Sequence, residues 1–203
     1  DPDYALAHAA LADTYILMGF YSHRPKDVYP LAERSIARAL AIDPNLTEVH
    51  LSKAGLNFFH KWNWAGAVRS VRRAVELNPR SAQAHHWLGV VLVCLGQNDE
   101  AQRSMEKARE IDPGYFIAQV DLVAPYVVRG EFETAAKIIE RVLEMASDCA
   151  RAREQLAMCY MGAGRYDDAI REARRAVEIS NRTGVFATAL AKTLAAAGRR
   201  EEA

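Results

Sequence analysis

The chain has 203 residues, half of them apolar, and its 26 lysines and arginines are matched by 26 aspartates and glutamates. That is enough apolar material for one sizeable core, which excludes a disordered chain and a disulfide-dependent miniprotein. A formal net charge of zero supplies no field to draw in phosphate backbones or anionic lipid, so neither nucleic acid nor a membrane is expected as a partner.

Cys94, Cys149 and Cys159 lack metal-ligand spacing. They read as small buried hydrophobes in a reducing compartment, which argues for the cytoplasm. The longest apolar run, residues 88–95, falls far short of the roughly 20 needed to span a bilayer. The chain opens on Asp1-Pro2 and closes on Glu201-Glu202-Ala203, a helix start, so it is expected to be a segment of a longer protein.

In chain order, helical segments alternate with two kinds of punctuation. Residues 5–44 hold a helix, a turn marked by Gly19, and a second helix closing on Arg38-Ala39-Leu40-Ala41-Ile42-Asp43-Pro44. Residues 45–79 repeat this and close on Arg73-Ala74-Val75-Glu76-Leu77-Asn78-Pro79, and residues 80–113 close on Lys107-Ala108-Arg109-Glu110-Ile111-Asp112-Pro113. Residues 114–147 and 148–181 follow, the latter ending on Arg175-Ala176-Val177-Glu178-Ile179-Ser180 without a proline, and residues 182–203 begin a sixth, incomplete unit.

The three internal Asx-Pro pairs lie 35 and 34 residues apart, and Gly96, Gly130, Gly164 and Gly198 recur every 34. A proline cannot continue a helix and pushes the residue before it out of the helical region, so each pair ends one helix and prepares the next. Glycine closes the first helix of each unit because it accepts positive φ. Each period therefore contains two helices.

These residues carry a specific likeness. Trp87, Leu88-Gly89, Leu92, Gly96, Ala101, Met105, Ala108 and Pro113 in the third unit resemble the tetratricopeptide repeat, as do Leu156-Ala157, Tyr160, Gly164, Tyr166, Ala169, Ala173 and Ala176 in the fifth. The first unit supplies Leu11-Ala12, Tyr15, Ala32, Ile36, Ala39 and Pro44, and the sixth Leu190-Ala191, Leu194 and Gly198. Small residues let paired helices approach closely while large ones fill the holes beside them. The resemblance covers essentially the whole chain and implies an all-α fold. It would be a single right-handed α-solenoid of antiparallel helix pairs, about 11 helices in all, with each hairpin stacking on its neighbours.

Departures from the pattern bear on function. The first unit has extra residues between Gly19 and Ala32, including Phe20, Tyr21, His23, Pro25, Tyr29 and Pro30. They form either a lengthened turn or, with Pro25 opening it, an extended second helix over which the aromatics pack. The second unit has one extra residue in its turn and the phrase Lys61-Trp62-Asn63-Trp64, in which Trp64 is expected in the core and Trp62 is spare. Together these features resemble repeat tails of bacterial multidomain regulators such as winged-helix transcription factors, nucleotide cyclases and serine/threonine kinases. Pro125 falls inside the first helix of the fourth unit, where it should bend the helix and free a carbonyl near Asp121.

No phosphate loop, zincin helix, nucleophile elbow or Cys-x-x-Cys occurs, so no enzyme, cofactor or metal site is expected. His8, His50 and His85 share one repeat position, where the family carries an aromatic, and read as packing residues. The neighbours His85 and His86 point to different faces of one helix. Arg69, Arg72 and Arg73, like Arg171, Arg174 and Arg175, are interleaved with acidic residues and read as solvated faces.

In the tetratricopeptide fold the first helices line a concave groove. The corresponding positions here are Leu6, Ala9, Asp13 and Ile16; Glu48, Leu51, Gly55 and Phe58; Gln83, His86, Val90 and Val93; Ile117, Val120, Ala124 and Val127; and Arg151, Glu154, Met158 and Met161. Chaperone-binding members place lysine, asparagine and arginine on this face to clamp a terminal carboxylate, and that set is absent. A mostly apolar strip with a polar rim suits a peptide or a partner domain, of the same protein or another, and the methionines adapt to varied contacts. The alternative is self-association or a spacer role, prompted by Leu190 and Leu194, which the unfinished last hairpin would leave exposed.

Overall fold

In the computed structural model, residues 3–181 and 184–202 are described, and all their regular structure is helical. The chain divides into two compact units, Asp1–Tyr115 and Phe116–Ala203, at the junction of the third and fourth repeats. The first contains α1 (Ala5–Tyr21), α2 (Pro25–Ile42), α3 (Thr47–Phe59), α4 (Trp64–Leu77), α5 (Ala82–Cys94) and α6 (Asn98–Ile111). The second contains α7 (Phe116–Asp121), α8 (Ala124–Val128), α9 (Phe132–Met145), α10 (Ala150–Gly162), α11 (Tyr166–Ile179) and α12 (Gly184–Ala196), followed by a short 3₁₀ turn, Arg200–Glu202.

The expected count of eleven becomes twelve among the described residues because Pro125 divides one helix. Residues 122 and 123 leave the helical run after α7, and α8 restarts with Pro125 in its first turn, where a missing N–H has no partner to lose. The anticipated bend is thus a full break.

Within each unit, hairpins pack on themselves and on one another. In the first unit α1 lies against α2 and α3, α3 against α4 and α5, and α5 against α6; in the second α10 lies against α9, α11 and α12. Ala9, Ala12, Val28, Ala32, Val49 and Leu56 form one buried cluster, and Leu51, Ala67, Val71, Leu88, Leu92 and Ala101 another. The core of the second unit is built on Val120, Ile139, Val142, Leu156 and Cys159. Alanines at the crossings bring helix axes close, and the branched residues beside them fill what remains.

The Asx-Pro signature has a hydrogen-bonding reason. The side chains of Asp43, Asn78 and Asp112 accept from the N–H groups of Asn45, Arg80 and Gly114 at 2.9, 3.1 and 2.9 Å, each spanning its proline. His50 and His85 each donate from Nε2 to the carbonyl of the preceding Pro44 and Pro79, at 2.9 and 3.0 Å. In the fifth repeat Arg153 does the same to Ser147. In the second, third and fifth repeats the recurring position therefore ties the first helix to the turn before it, a hydrogen-bonding role rather than the packing role its spacing suggested.

Gly96, Gly130, Gly164 and Gly198 adopt φ of 72°, 76°, 77° and 78°. The equivalent residue of the second repeat is Trp62, at φ 51°. Gly19 is not a turn residue: it is buried within α1, facing Tyr29, so close that a Cβ there would lie 2.5 Å from the ring. The extra residues of the first repeat lengthen α1 and α2, leaving a turn of three residues, 22–24.

Two further expectations fail. Trp64 is 37% exposed rather than in the core, and Cys94 is exposed while Cys159 is buried and Cys149 half-buried. No described helix is long and apolar enough to cross a membrane.

One packing rule runs through the repeats. At equivalent positions in five repeats stand the pairs Leu11–Tyr15, Leu88–Leu92, Leu122–Tyr126, Leu156–Tyr160 and Leu190–Leu194, of which all but the exposed Leu11 are buried or half-buried. In the fifth repeat Tyr160 is buried, its hydroxyl donating to Glu140 at 2.7 Å and the Arg165 guanidinium stacked 4.1 Å from its ring centre. The second repeat has Lys53 and Asn57 in these places.

Candidate functional site

In the first unit, the face built from α1, α3 and α5 holds twelve of the positions that the spacing assigned to a groove. Leu6 and Gln83 are exposed, and Asp13, Glu48, Phe58, Val90 and Val93 are half-buried. Ala9, Ile16, Leu51, Gly55 and His86 are buried beneath this face, so they shape it without being open to a partner. The physical reason is the closeness of successive first helices: residues one turn in from the helix start meet the neighbouring helix. Ser52 marks this approach, its hydroxyl bonding to Glu48 O at 3.0 Å and to Ala9 O of α1 at 3.3 Å.

Burial raises the Asp13 carboxyl above its ordinary range; the Ser52 hydroxyl partly offsets this, and the nearby Glu48 adds to it. His86 Nδ1 lies 3.3 Å from the Tyr115 hydroxyl, with the rings edge to face. His85 is engaged elsewhere, so the adjacent histidines do act on separate sides.

An aromatic row is the feature that single-position reasoning missed. Tyr21, Phe20, Phe59 and Phe58 follow one another at centroid separations of 4.8, 5.0 and 5.1 Å, and Trp87 lies 5.8 Å from Phe59. His86 and Tyr115 continue it at 6.4 and 5.4 Å. Each ring is visible in the sequence, but four different repeats supply them at differing repeat positions, so no period reveals the row.

In the second unit, Ile117 is exposed, Ala124 and Val127 are half-buried, and Val120 is fully buried in the core. Arg151 bridges Asp121 at 3.2 Å and Glu154 at 3.1 Å. Burial works against its charge, but the two carboxylates outweigh that effect and hold its protonation more firmly than usual.

Met158 and Met161 line a cleft of about 420 Å³ between α10 and α12. Val185, Phe186 and Thr188 form the opposite wall, Ala173 and Ala176 of α11 the floor, and Glu154 and Lys192 provide one charge of each sign at its margin. Leu194, expected to be exposed, is 3% exposed; Leu190 is half-buried.

Among the described residues no group of three His, Cys, Asp or Glu side chains is placed to hold a metal ion. The basic clusters are largely paired: Arg72 with Glu100, Arg73 with Glu76, Arg171 with Asp168, Arg174 with Glu202 and Arg175 with Glu178, with every one of these arginines exposed.

None of the curated proteins matches the chain. Among solved structures, a thermophilic TPR protein of Thermus thermophilus is similar at TM-score 0.81 and 20% identity, over 94% of this chain and 99% of that one. PilW, a widely conserved type IV pilus biogenesis factor, is similar at TM-score 0.74 and 25% identity, over 98% and 89%. YrrB, a TPR protein described by its unusual peptide-binding site, is similar at TM-score 0.53 and 21% identity, over 82% and 85%. Three tetratricopeptide-repeat family models match residues 71–103, 126–182 and 184–203, together more than half of the chain. By these matches and by its helix hairpins, the chain belongs to the tetratricopeptide repeat family.

Proposed function

We propose that the chain is a protein-interaction scaffold, the regulatory or assembly module of a larger bacterial protein, and that it holds an apolar polypeptide segment in the cleft between α10 and α12. The cleft carries this reading. Its volume of about 420 Å³ is within the range of sites that receive a few side chains, and its walls are apolar and adaptable. Lys192 favours a segment that presents an acidic residue at that margin, Glu154 being already paired with Arg151. The peptide site for which YrrB is named supports a peptide ligand for a fold of this kind. Catalysis has no place in this reading.

Selection of short random peptides against the folded chain tests it. Binders should be enriched in apolar residues beside an acid, and Met158→Glu or Lys192→Glu should weaken them on the order of tenfold. Binders indifferent to both substitutions would remove the cleft as the site. Concentration-dependent dimerisation abolished by Met158→Glu would instead assign the cleft to self-association.

A further inference from the structure

The second repeat departs from the packing rule of the other five, and the departure leaves a chemically distinctive hollow. Where the other repeats place leucine and then tyrosine or leucine, Lys53 and Asn57 leave a cavity of about 310 Å³ between α3 and α4. Gly66 and Ser70 on α4 add little bulk to its wall. It lies on the hairpin side of α3, away from the first-helix face that carries Glu48 and Phe58.

The lining is basic and rich in donors. Lys53, Arg69 and Arg73 contribute three positive charges and no carboxylate lines the cavity. Lys53 and Arg69 have no ion-pair partner among the described residues, while Arg73 is shared between Asn45 at 3.0 Å and Glu76 at 3.1 Å. Asn63 Oδ1 caps α4 by accepting from Gly66 N–H at 2.9 Å, which leaves its amide N–H₂ to donate.

Asn57 adds a neutral amide to this lining. It is 8% exposed and lines the cavity. Its backbone carbonyl accepts from Asn63 N–H, but its side chain makes no hydrogen bond among the described residues. Its amide atoms are not among those sealed from solvent without a partner, so they open into the cavity, where water or a ligand can meet them.

We propose that this cavity is an oxyanion site that takes a phosphate group, as free phosphate or as a small phosphomonoester. Two guanidinium groups and an ammonium supply the charge, the Asn57 and Asn63 amides supply neutral donors, and the N-terminus of α4 adds its dipole. A tetrahedral anion with several acceptor oxygens matches this donor set, and the volume leaves room for a small organic substituent.

Calorimetric titration of the whole chain with inorganic phosphate and with glycerol phosphate, at ionic strength held constant with chloride, tests the proposal. Saturable binding of either ion and a rise in Tm that chloride does not reproduce are expected. Tighter binding of glycerol phosphate identifies a phosphomonoester site, and equal or tighter binding of phosphate a free-ion site. Arg69→Gln, on the exposed rim, should keep the fold and weaken binding on the order of tenfold.

Lys53→Leu combined with Asn57→Tyr restores the family pattern; it should abolish binding and raise Tm without phosphate. If that variant does not fold, Asn57→Asp, nearly isosteric but repelling an anion, should lose the binding. Absence of saturable binding for both ions, or unchanged affinity in Arg69→Gln and Asn57→Asp, would overturn the site.

Discussion

Trp62 shows how much a single position can depart from its repeat. It occupies the place of Gly96 and Gly130 in a left-handed backbone conformation, with φ 51° and a side chain 74% exposed. An L-residue there costs about 1 kcal/mol relative to glycine, and an indole so open to water recovers little by burial. Trp62→Gly should therefore raise stability by about 1 kcal/mol, or about 2–4 °C in Tm, measured by thermal unfolding. An unchanged or lower Tm would mean that the indole makes contacts worth as much as the backbone conformation costs. Asp13 yields a second prediction. Its raised pKa means that the fold favours the protonated form, so its favourable contribution is present below the ordinary value of 3.8 and lost as pH rises through the raised one. At neutral pH the ionised carboxylate costs stability. Asp13→Asn should have a higher Tm than the wild type at pH 7, with the gap closing as the pH falls towards 3.8. A gap independent of pH would show that the effect is not ionisation.

At the scale of helix pairs, two glycines in first helices separate close packing from open space. A Cβ on Gly89 would lie 2.4 Å from Met105 Cγ and 3.0 Å from the Ala101 carbonyl, so α5 and α6 meet over that missing carbon. A Cβ on Gly55 would meet Ile16 Cδ1 at 3.7 Å, an ordinary contact. Gly89→Ala should cost about 1–3 kcal/mol by forcing the pair apart, whereas Gly55→Ala should gain about 0.5–1 kcal/mol from helix propensity. Denaturant midpoints of the two variants against the wild type give both signs in one series. The same contrast explains what could be read from the sequence. Repeating features, the Asx-Pro turns, the positive-φ glycines and the alanine crossings, announce themselves by spacing because each recurs in one geometry. Gly19, the break at Pro125 and the burial of Leu194 could not be read that way. Each depends on what a neighbouring element puts beside it, and period says nothing about that neighbour. The groove positions divide along the same line: Met158 and Phe58 are half-buried and keep some surface, while Ile16 and His86 are buried.

At the scale of the whole molecule, repeat architecture makes stability a sum of hairpin terms and interface terms between neighbours, with no contact between distant repeats needed. Two buried clusters, one joining α1 to α3 and one joining α3 to α6, lie wholly inside the first unit. Ion pairs knit it further across repeats: Lys61 to Glu33 at 2.7 Å and Arg72 to Glu100 at 2.9 Å. These pairs are exposed and contribute little individually, so the clusters carry most of the stability. Three hairpins are about the minimum at which such a stack buries a continuous core. A fragment of residues 1–115 should therefore fold alone. Its far-ultraviolet dichroism should be helical, and its urea unfolding a single transition with an m-value smaller than that of the whole chain, in proportion to the surface buried. Tryptophan emission, with Trp87 as its packed contributor, should change at the same midpoint as the helix signal, because that ring lies against Phe58 and Phe59 of the preceding repeat. A broad transition in which the two signals part company would show that the three hairpins do not form one cooperative unit, and that residues 116–203 supply something the first unit lacks.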